Sequence, residues 1–455
     1  MKFSAHSRGF IALLGVLVVL ALPSPYDAWA DAAGWVALSD SLFAPLVRDG
    51  DVAGLIAGVT VDDQRTIQAW GEARLGGHVP DAETLFEIGS ITKTFTGALL
   101  ARMAGIGEVG LDDPVQLYLD GLTTAPQVGP EPIRLWHLAT HTSGLPRIMN
   151  HTAGQALFGD NPYANITPAM IYEWLGEVRL KAPPGETSEY SNMGMGLLGH
   201  VLALRAGTGY ETLLRERILW PLRMQQTVIA LDAAQSERLA PGYRRRALKL
   251  PLVADFKRVP AWDMPHLEGM GALRSNVGDM LTWVEANLCA IEIAQGEPTP
   301  VAGNSSGPAK VNSTSPLEWT EEVARPPRGD ALFAALRVAM QPRARVSADT
   351  EIGLAWQLTT LIDESGTTRT MIWHNGATGG HHAFLGLDPA RRLGLVVLAN
   401  TATDRIESAA FDFFRHGAAE VGEAERDDKQ EREPQQPAAR EGDTAKPPAQ
   451  PRAEF

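Results

Sequence analysis

The sequence predicts a mixed α/β (α+β) fold: an antiparallel sheet flanked by helices, with an all-helical region inserted between its strands. Three observations carry this expectation. Short apolar runs joined by turn residues occur near the start of the chain and again near its end. Between them, apolar residues recur at helical spacing and are bounded by capping residues. The simplest packing that buries both sets of strands is one sheet built from the two ends, with the helices inserted.

In chain order, the run Phe10 to Leu22 is uncharged and apolar, follows Lys2 and Arg8, and precedes Ala28-Trp29-Ala30. That is the pattern of an export leader over residues 1–30, cleaved after Ala30, and the run is short for a bilayer span. The predicted catalytic domain then occupies 31–417. Leu55 to Val61, a turn at Asp62-Asp63-Gln64, and Arg65 to Trp70 read as a hairpin. A helix opens near Ser90. Phe95, Leu99 and Met103 repeat every four residues along it, and Gly105 and Gly107 close it. Thr167-Pro168 starts another helix. Met193 to Ala206 is an apolar helix stopped by Gly207, and Tyr210 to Leu219 is amphipathic and stops before Pro221. Ser275 is the expected cap of a helix reaching toward Leu288. Residues 294–330 are rich in Pro, Gly, Ser and Thr and read as a surface insertion. Ile352 to Leu361 with Thr368 to His374, and Ala383 to Leu387 with Leu393 to Ala399, form two further hairpin-like units. Residues 418–455 are charged, Pro-rich and poor in large apolar residues, the composition of a disordered tail.

Composition narrows the function. The 455 residues are 44% hydrophobic and 21% charged, with a formal net charge of −14. An acidic chain without a basic stripe is a poor candidate for binding nucleic acid or an anionic membrane. Cys289 is the single cysteine, so no intramolecular disulfide is available and stability must come from a core. Oligomeric state is not readable from the sequence.

Three motifs carry chemistry. Ser90-Ile91-Thr92-Lys93 is a Ser-x-x-Lys at a helix start, which places hydroxyl and amine on one helical face. A serine hydroxyl needs a base, and a lysine with a lowered pKa can be one. The helix N-terminus offers a free N–H to a developing oxyanion. Tyr190-Ser191-Asn192 lies at the start of the 193–206 helix. A phenol beside a lysine could be deprotonated near neutrality and shuttle a proton, and Asn192 can both donate to and accept from an amide-bearing substrate. Finally, His374-Asn375-Gly376-Ala377 ends a strand. Gly376 permits close backbone approach by a ligand, the Ala377 N–H is a candidate second oxyanion donor, and His374 adds a titratable, partly cationic group.

In this order the motifs resemble the serine β-lactamase and penicillin-binding superfamily, on its class C side, which also holds a DD-peptidase group and the family VIII carboxylesterases. The likeness runs from about Trp35 to Gly417. It includes the lead-in Thr84 to Gly89, Leu111-Asp112-Asp113-Pro114-Val115, Leu138 to Pro146, and Gly271 to Ser275. It implies Ser90 as the acylated nucleophile, Lys93 and Tyr190 as proton-transfer partners, Asn192 as the contact for a substrate amide, and Gly376-Ala377 as the wall where the acyl carbonyl docks. No cofactor is implied. The implied substrate is a small molecule or a peptidoglycan-derived peptide, with β-lactam, D-Ala-D-Ala amide and short-chain ester all open. The chain departs from the class C pattern at His374-Asn375-Gly376, where Lys-Thr-Gly is usual. A substrate carboxylate held by His374 would be released as pH rises through the imidazole's pKa. Arg405 stands about where relatives place a carboxylate-reading arginine.

Two other classes compete. His137 and His141 have helical metal-ligand spacing and His381-His382 are adjacent, but the 137–141 stretch lacks the glutamate of a metalloprotease helix. A penicillin- or peptidoglycan-binding receptor would acylate without turning over. The segment 147–161 and the 294–330 insertion are expected to border the cleft.

Overall fold

The computed structural model describes residues 25–62, 64–149, 160–246, 256–295, 330–364 and 366–416. The predicted leader before residue 25, the insertion over 296–329 and the tail from 417 lie outside the described residues, and the expected cleavage point at Ala30 falls within the first helix.

The helices are α1 (Pro25–Arg48), α2 (Thr92–Gly105), α3 (Leu135–Ala139), α4 (Pro168–Glu177), α5 (Asn192–Ala206), α6 (Tyr210–Leu214), α7 (Ala233–Arg238), α8 (Val277–Gln295), α9 (Ala331–Met340) and α10 (Arg405–Arg415). The strands are β1 (Gly54–Val61), β2 (Gln64–Gly71), β3 (Phe86–Glu87), β4 (Gly242–Arg245), β5 (Phe256–Val259), β6 (Arg274–Ser275), β7 (Ala344–Arg345), β8 (Thr350–Ile352), β9 (Gln357–Ile362), β10 (Thr368–Ala377), β11 (His382–Asp388) and β12 (Leu393–Ala399).

Eight strands form the main sheet in the order β2-β1-β12-β11-β10-β9-β8-β7. Its closing seam pairs β1 with β12, antiparallel from Leu55↔Ala399 to Val61↔Leu393. The first hairpin is thus completed by the last strand, some 340 residues away along the chain, and the two ends share one sheet as the turn chemistry predicts. All residues of β11 and β12 are buried. Such strands read as unbroken apolar runs because both faces of the sheet are covered. On one face lies the helical region, whose core holds Phe95, Leu99, Met103, Trp283 and Trp356. Phe95 and Trp283 stack with centroids 4.0 Å apart. On the other face α1 and α10 bury Trp35, Leu38, Phe43, Ile406 and Phe413. Each such side chain contributes about 1.5–3 kcal/mol by leaving water.

Several local expectations need revision. Helix α8 does not take Ser275 as its cap. Ser275 belongs to β6, and Asn276 Oδ1 accepts the Asp279 N–H at 2.9 Å instead. Helix α1 adds an element to the expected set, and Trp35, Leu38, Leu42 and Leu46 recur along it at helical spacing. Tyr210 to Leu219 is one turn and a half of α-helix that widens into a π-helical turn at Arg215–Leu219.

Candidate functional site

Ser90 lies in a single 3-10 turn, Gly89–Ile91, that leads into α2. It is only partly buried, whereas Lys93, one turn further on, has no exposed surface. The Lys93 Nζ lies 2.9 Å from Ser90 Oγ and donates to the Met270 carbonyl. Burial, and secondly the positive charge of Arg147, hold the Lys93 ammonium well below its usual pKa. A neutral amine results, with a lone pair free to face the hydroxyl.

Tyr190 comes from 100 residues further along the chain and donates its O–H to Ser90 Oγ at 2.7 Å. Its ring centroid lies 5.0 Å from Lys93 Nζ. The hydroxyl, amine and phenol therefore converge on one oxygen. Burial pushes the Tyr190 phenol up to about 12, against a smaller lowering by Ser90 and Arg147. This corrects the expectation of a phenolate near neutrality: burial penalises the anion more than the neighbouring groups favour it, and because Lys93 is held neutral, no ammonium stands beside the ring to offset it.

Asn192 opens α5. Ser191 is the cap and accepts the Gly194 N–H. Asn192 gives its backbone N–H to the Arg147 carbonyl at 3.1 Å. It is half-buried beside the cleft.

Strand β10 supplies the opposite wall. Beyond Trp373 it is no longer paired with β9. Thr378 N–H goes to the His381 carbonyl, toward β11. Successive N–H groups of a strand point to opposite sides, so that of Ala377 faces the side β9 has vacated. A Cβ built on Gly89, which has φ +49°, would meet Ala377 N at 2.7 Å, and one on Gly376 would meet the Ile88 carbonyl oxygen at 2.0 Å and Ser90 N at 3.0 Å. Gly376 thus makes room for the protein's own serine turn, where the sequence suggested room for a ligand. It brings Ala377 N–H and Ser90 N–H to one place, a geometry suited to an oxyanion.

His374 differs from expectation. It is 1% exposed, and burial is the main cause that presses its pKa down to about 3. Its Nδ1 lies 2.5 Å from the Asn375 carbonyl, so Nδ1 carries the proton. A neutral imidazole cannot hold a carboxylate by charge, and it does not titrate around neutrality. Asn375 is turned away to Glu407 on α10. Arg405 is exposed and pairs with Asp51 at 3.2 Å, which occupies the guanidinium expected to read a carboxylate.

Sequence reasoning missed the part played by His141. Its carbonyl accepts the Glu189 N–H at 2.8 Å and its Nδ1 accepts the Ser191 N–H at 3.2 Å. It thereby clamps the backbone on both sides of Tyr190, and its ring lies 4.4 Å from that of Tyr190. It does so with φ +60°, a left-handed conformation that costs a residue with a Cβ about 1 kcal/mol or more. Of the histidines weighed as metal ligands, His137 Nδ1 accepts the Arg134 N–H and His381 bridges Glu87 and the Ala240 carbonyl, while the Nε2 atoms of His141 and His382 are buried without a hydrogen-bond partner among the described residues. Among the described residues no cluster of three or more His, Cys, Asp or Glu is arranged to hold a metal.

The D-alanyl-D-alanine-carboxypeptidase/endopeptidase AmpH of Escherichia coli K12 is 32% identical over 248 residues, which span 54% of this chain and 60% of AmpH. A beta-lactamase of Pseudomonas fluorescens is 27% identical over 370 residues, 79% of this chain and 92% of its own. A solved class C beta-lactamase superposes with a TM-score of 0.64 at 22% identity, covering 84% of this chain and 96% of its own, a likeness of fold. The Beta-lactamase family model matches residues 39–415, and the chain belongs to that family.

Proposed function

We propose that the protein cleaves β-lactam or D-Ala-D-Ala-type amides through an acyl-serine formed on Ser90. The observation that carries this reading is the convergence of the Tyr190 phenol and the Lys93 amine on Ser90 Oγ. In acylation, neutral Lys93 takes the hydroxyl proton as Oγ forms its bond to the substrate carbonyl carbon. The oxyanion is received by the N–H groups of Ser90 and Ala377. As the carbonyl carbon–nitrogen bond breaks, Tyr190 gives its proton to the departing nitrogen, and the Lys93 ammonium returns one to the phenol. A phenol held protonated to about 12 suits the acid part, and a depressed amine suits the base part. Water attacking the acyl-serine, deprotonated by the same amine, regenerates the hydroxyl. Asn192, beside the cleft, is placed to bond a substrate amide. An export leader over residues 1–30 would carry this activity out of the cytoplasm, to the periplasm or beyond, where a peptidoglycan-derived substrate would be met.

Intact-mass analysis after mixing with penicillin, nitrocefin and a short acyl ester tests the reading over time. A transient adduct with continuing product release is expected, and none with Ser90→Ala. Undiminished turnover by Ser90→Ala sinks the mechanism. A permanent stoichiometric adduct makes the protein a receptor, and turnover confined to the ester makes it a carboxylesterase.

A further inference from the structure

An amide or ester donor with a free carboxylate needs a fixed positive charge to hold it, and four groups are candidates: three beside Ser90 or Tyr190, and the arginine expected from the sequence. Lys93 is fully buried and committed to Ser90 and Met270. His374 is buried and neutral. Arg405 pairs with Asp51. Arg147 remains.

Arg147 is exposed, and among the described residues its guanidinium makes no ion pair or hydrogen bond. It is nevertheless held in place. Its carbonyl accepts the N–H groups of both Asn192 and Met193, which fastens its main chain to the first turn of α5. Its guanidinium carbon lies 4.9 Å from the centroid of the Tyr190 ring. Stacking uses the face of a guanidinium and leaves its N–H edge free, and that edge matches a carboxylate in a two-point contact. The positive charge is felt across the site, since it helps lower Lys93, His141 and Tyr190 alike.

We infer that Arg147 is the carboxylate anchor of this enzyme, so that its preferred substrates are acyl donors carrying a free carboxylate on the leaving side. This rests on the acyl-serine reading above. The arginine takes over from a side chain on β10, where the cationic position is filled by a buried neutral His374. The role belongs to specificity, and the proton transfers stay with Lys93 and Tyr190.

The test uses two esters with the same acyl group, one of phenol and one of 3-hydroxybenzoate, which differ only by the carboxylate. The readout is the ratio of their kcat/KM values, because any influence of Arg147 on Lys93 or Tyr190 is common to both. The wild type is expected to prefer the carboxylated ester. Arg147→Ala should shrink that preference by about ten- to a hundredfold, the range for a lost hydrogen bond to a charged group, and Arg147→Lys should retain part of it. Arg147→Gln serves if the alanine variant folds poorly, judged by its melting curve. An unchanged ratio in these variants, or no preference in the wild type, overturns the assignment while leaving the acyl-serine intact. Turnover of both esters by Ser90→Ala would instead overturn the reading on which it rests.

Discussion

The two walls of the cleft are built on different principles. On the α2 side the wall is made of side chains: Lys93 and Tyr190 each aim a polar atom at Ser90 Oγ. On the β10 side the side chains turn away. His374 is buried, Asn375 is tied to Glu407, and what remains beside Ser90 is backbone. The difference teaches what kind of substitution each wall tolerates. The first depends on chemical identity, and the second on size and shape.

Lys93→Met tests the first wall most severely. Removing the base should lower kcat by about 10²–10⁴-fold. The same change should leave stability equal or higher. Below the ordinary lysine pKa the unfolded chain carries a proton that native Lys93 refuses, so the native amine is a liability that Met removes. A variant that is both active and less stable would refute the picture of a buried neutral amine.

Gly376→Ala asks the corresponding question of the second wall. One methyl would sit 2.0 Å from the Ile88 oxygen, so the serine turn and β10 must separate. Misplacing a donor by about an ångström can cost about 10²-fold in rate. A fully active alanine variant would show that Ala377 N–H is not used.

His141→Ala should cost less, about tenfold in kcat with KM little changed, because Tyr190 loses its clamp and not its phenol. His141→Asn keeps an acceptor and tolerates the left-handed backbone, so it should recover part of the rate. Equal loss of kcat in both, tracking a fall in melting temperature, would reduce His141 to a structural residue.

The smallest effect on activity is expected from pH around neutrality. With His374 down at about 3, discrimination between carboxylated and neutral esters should stay level from about pH 6 to 8. The histidine shows up in stability instead. Its folded pKa is depressed, so as pH falls through the unfolded value of about 6.5 the unfolded chain gains a proton first, and stability is lost progressively toward pH 3. His137 and His382, both pressed down to about 4 by burial, act in the same direction. Urea unfolding at pH 7 and 5 should show His374→Gln losing about 2 kcal/mol less than the wild type. Identical losses would mean that His374 titrates normally.

Much of this was legible from local pattern. The strand runs, the Phe95-Leu99-Met103 stripe and the Ser191–Asn192 helix start are short-range features, set by periodicity and capping within a few residues. What escaped was decided at a distance. Ser275 has the look of a cap, but its pairing with Phe86 draws it into a strand. His141 carries no signal of its role, because its partners Glu189 and Ser191 lie some 50 residues away along the chain.

Which groups exist, and roughly which elements carry them, follows from the order of residues alone: a serine and a lysine one turn apart, a tyrosine before a helix, a glycine near the end of a strand. The tertiary structure decided their charge states and orientations. Whether an imidazole is a cation, whether a phenol keeps its proton, and which arginine is left without a partner depend on burial and on neighbours from other elements. Those are sums over space, and a linear order of residues does not contain them.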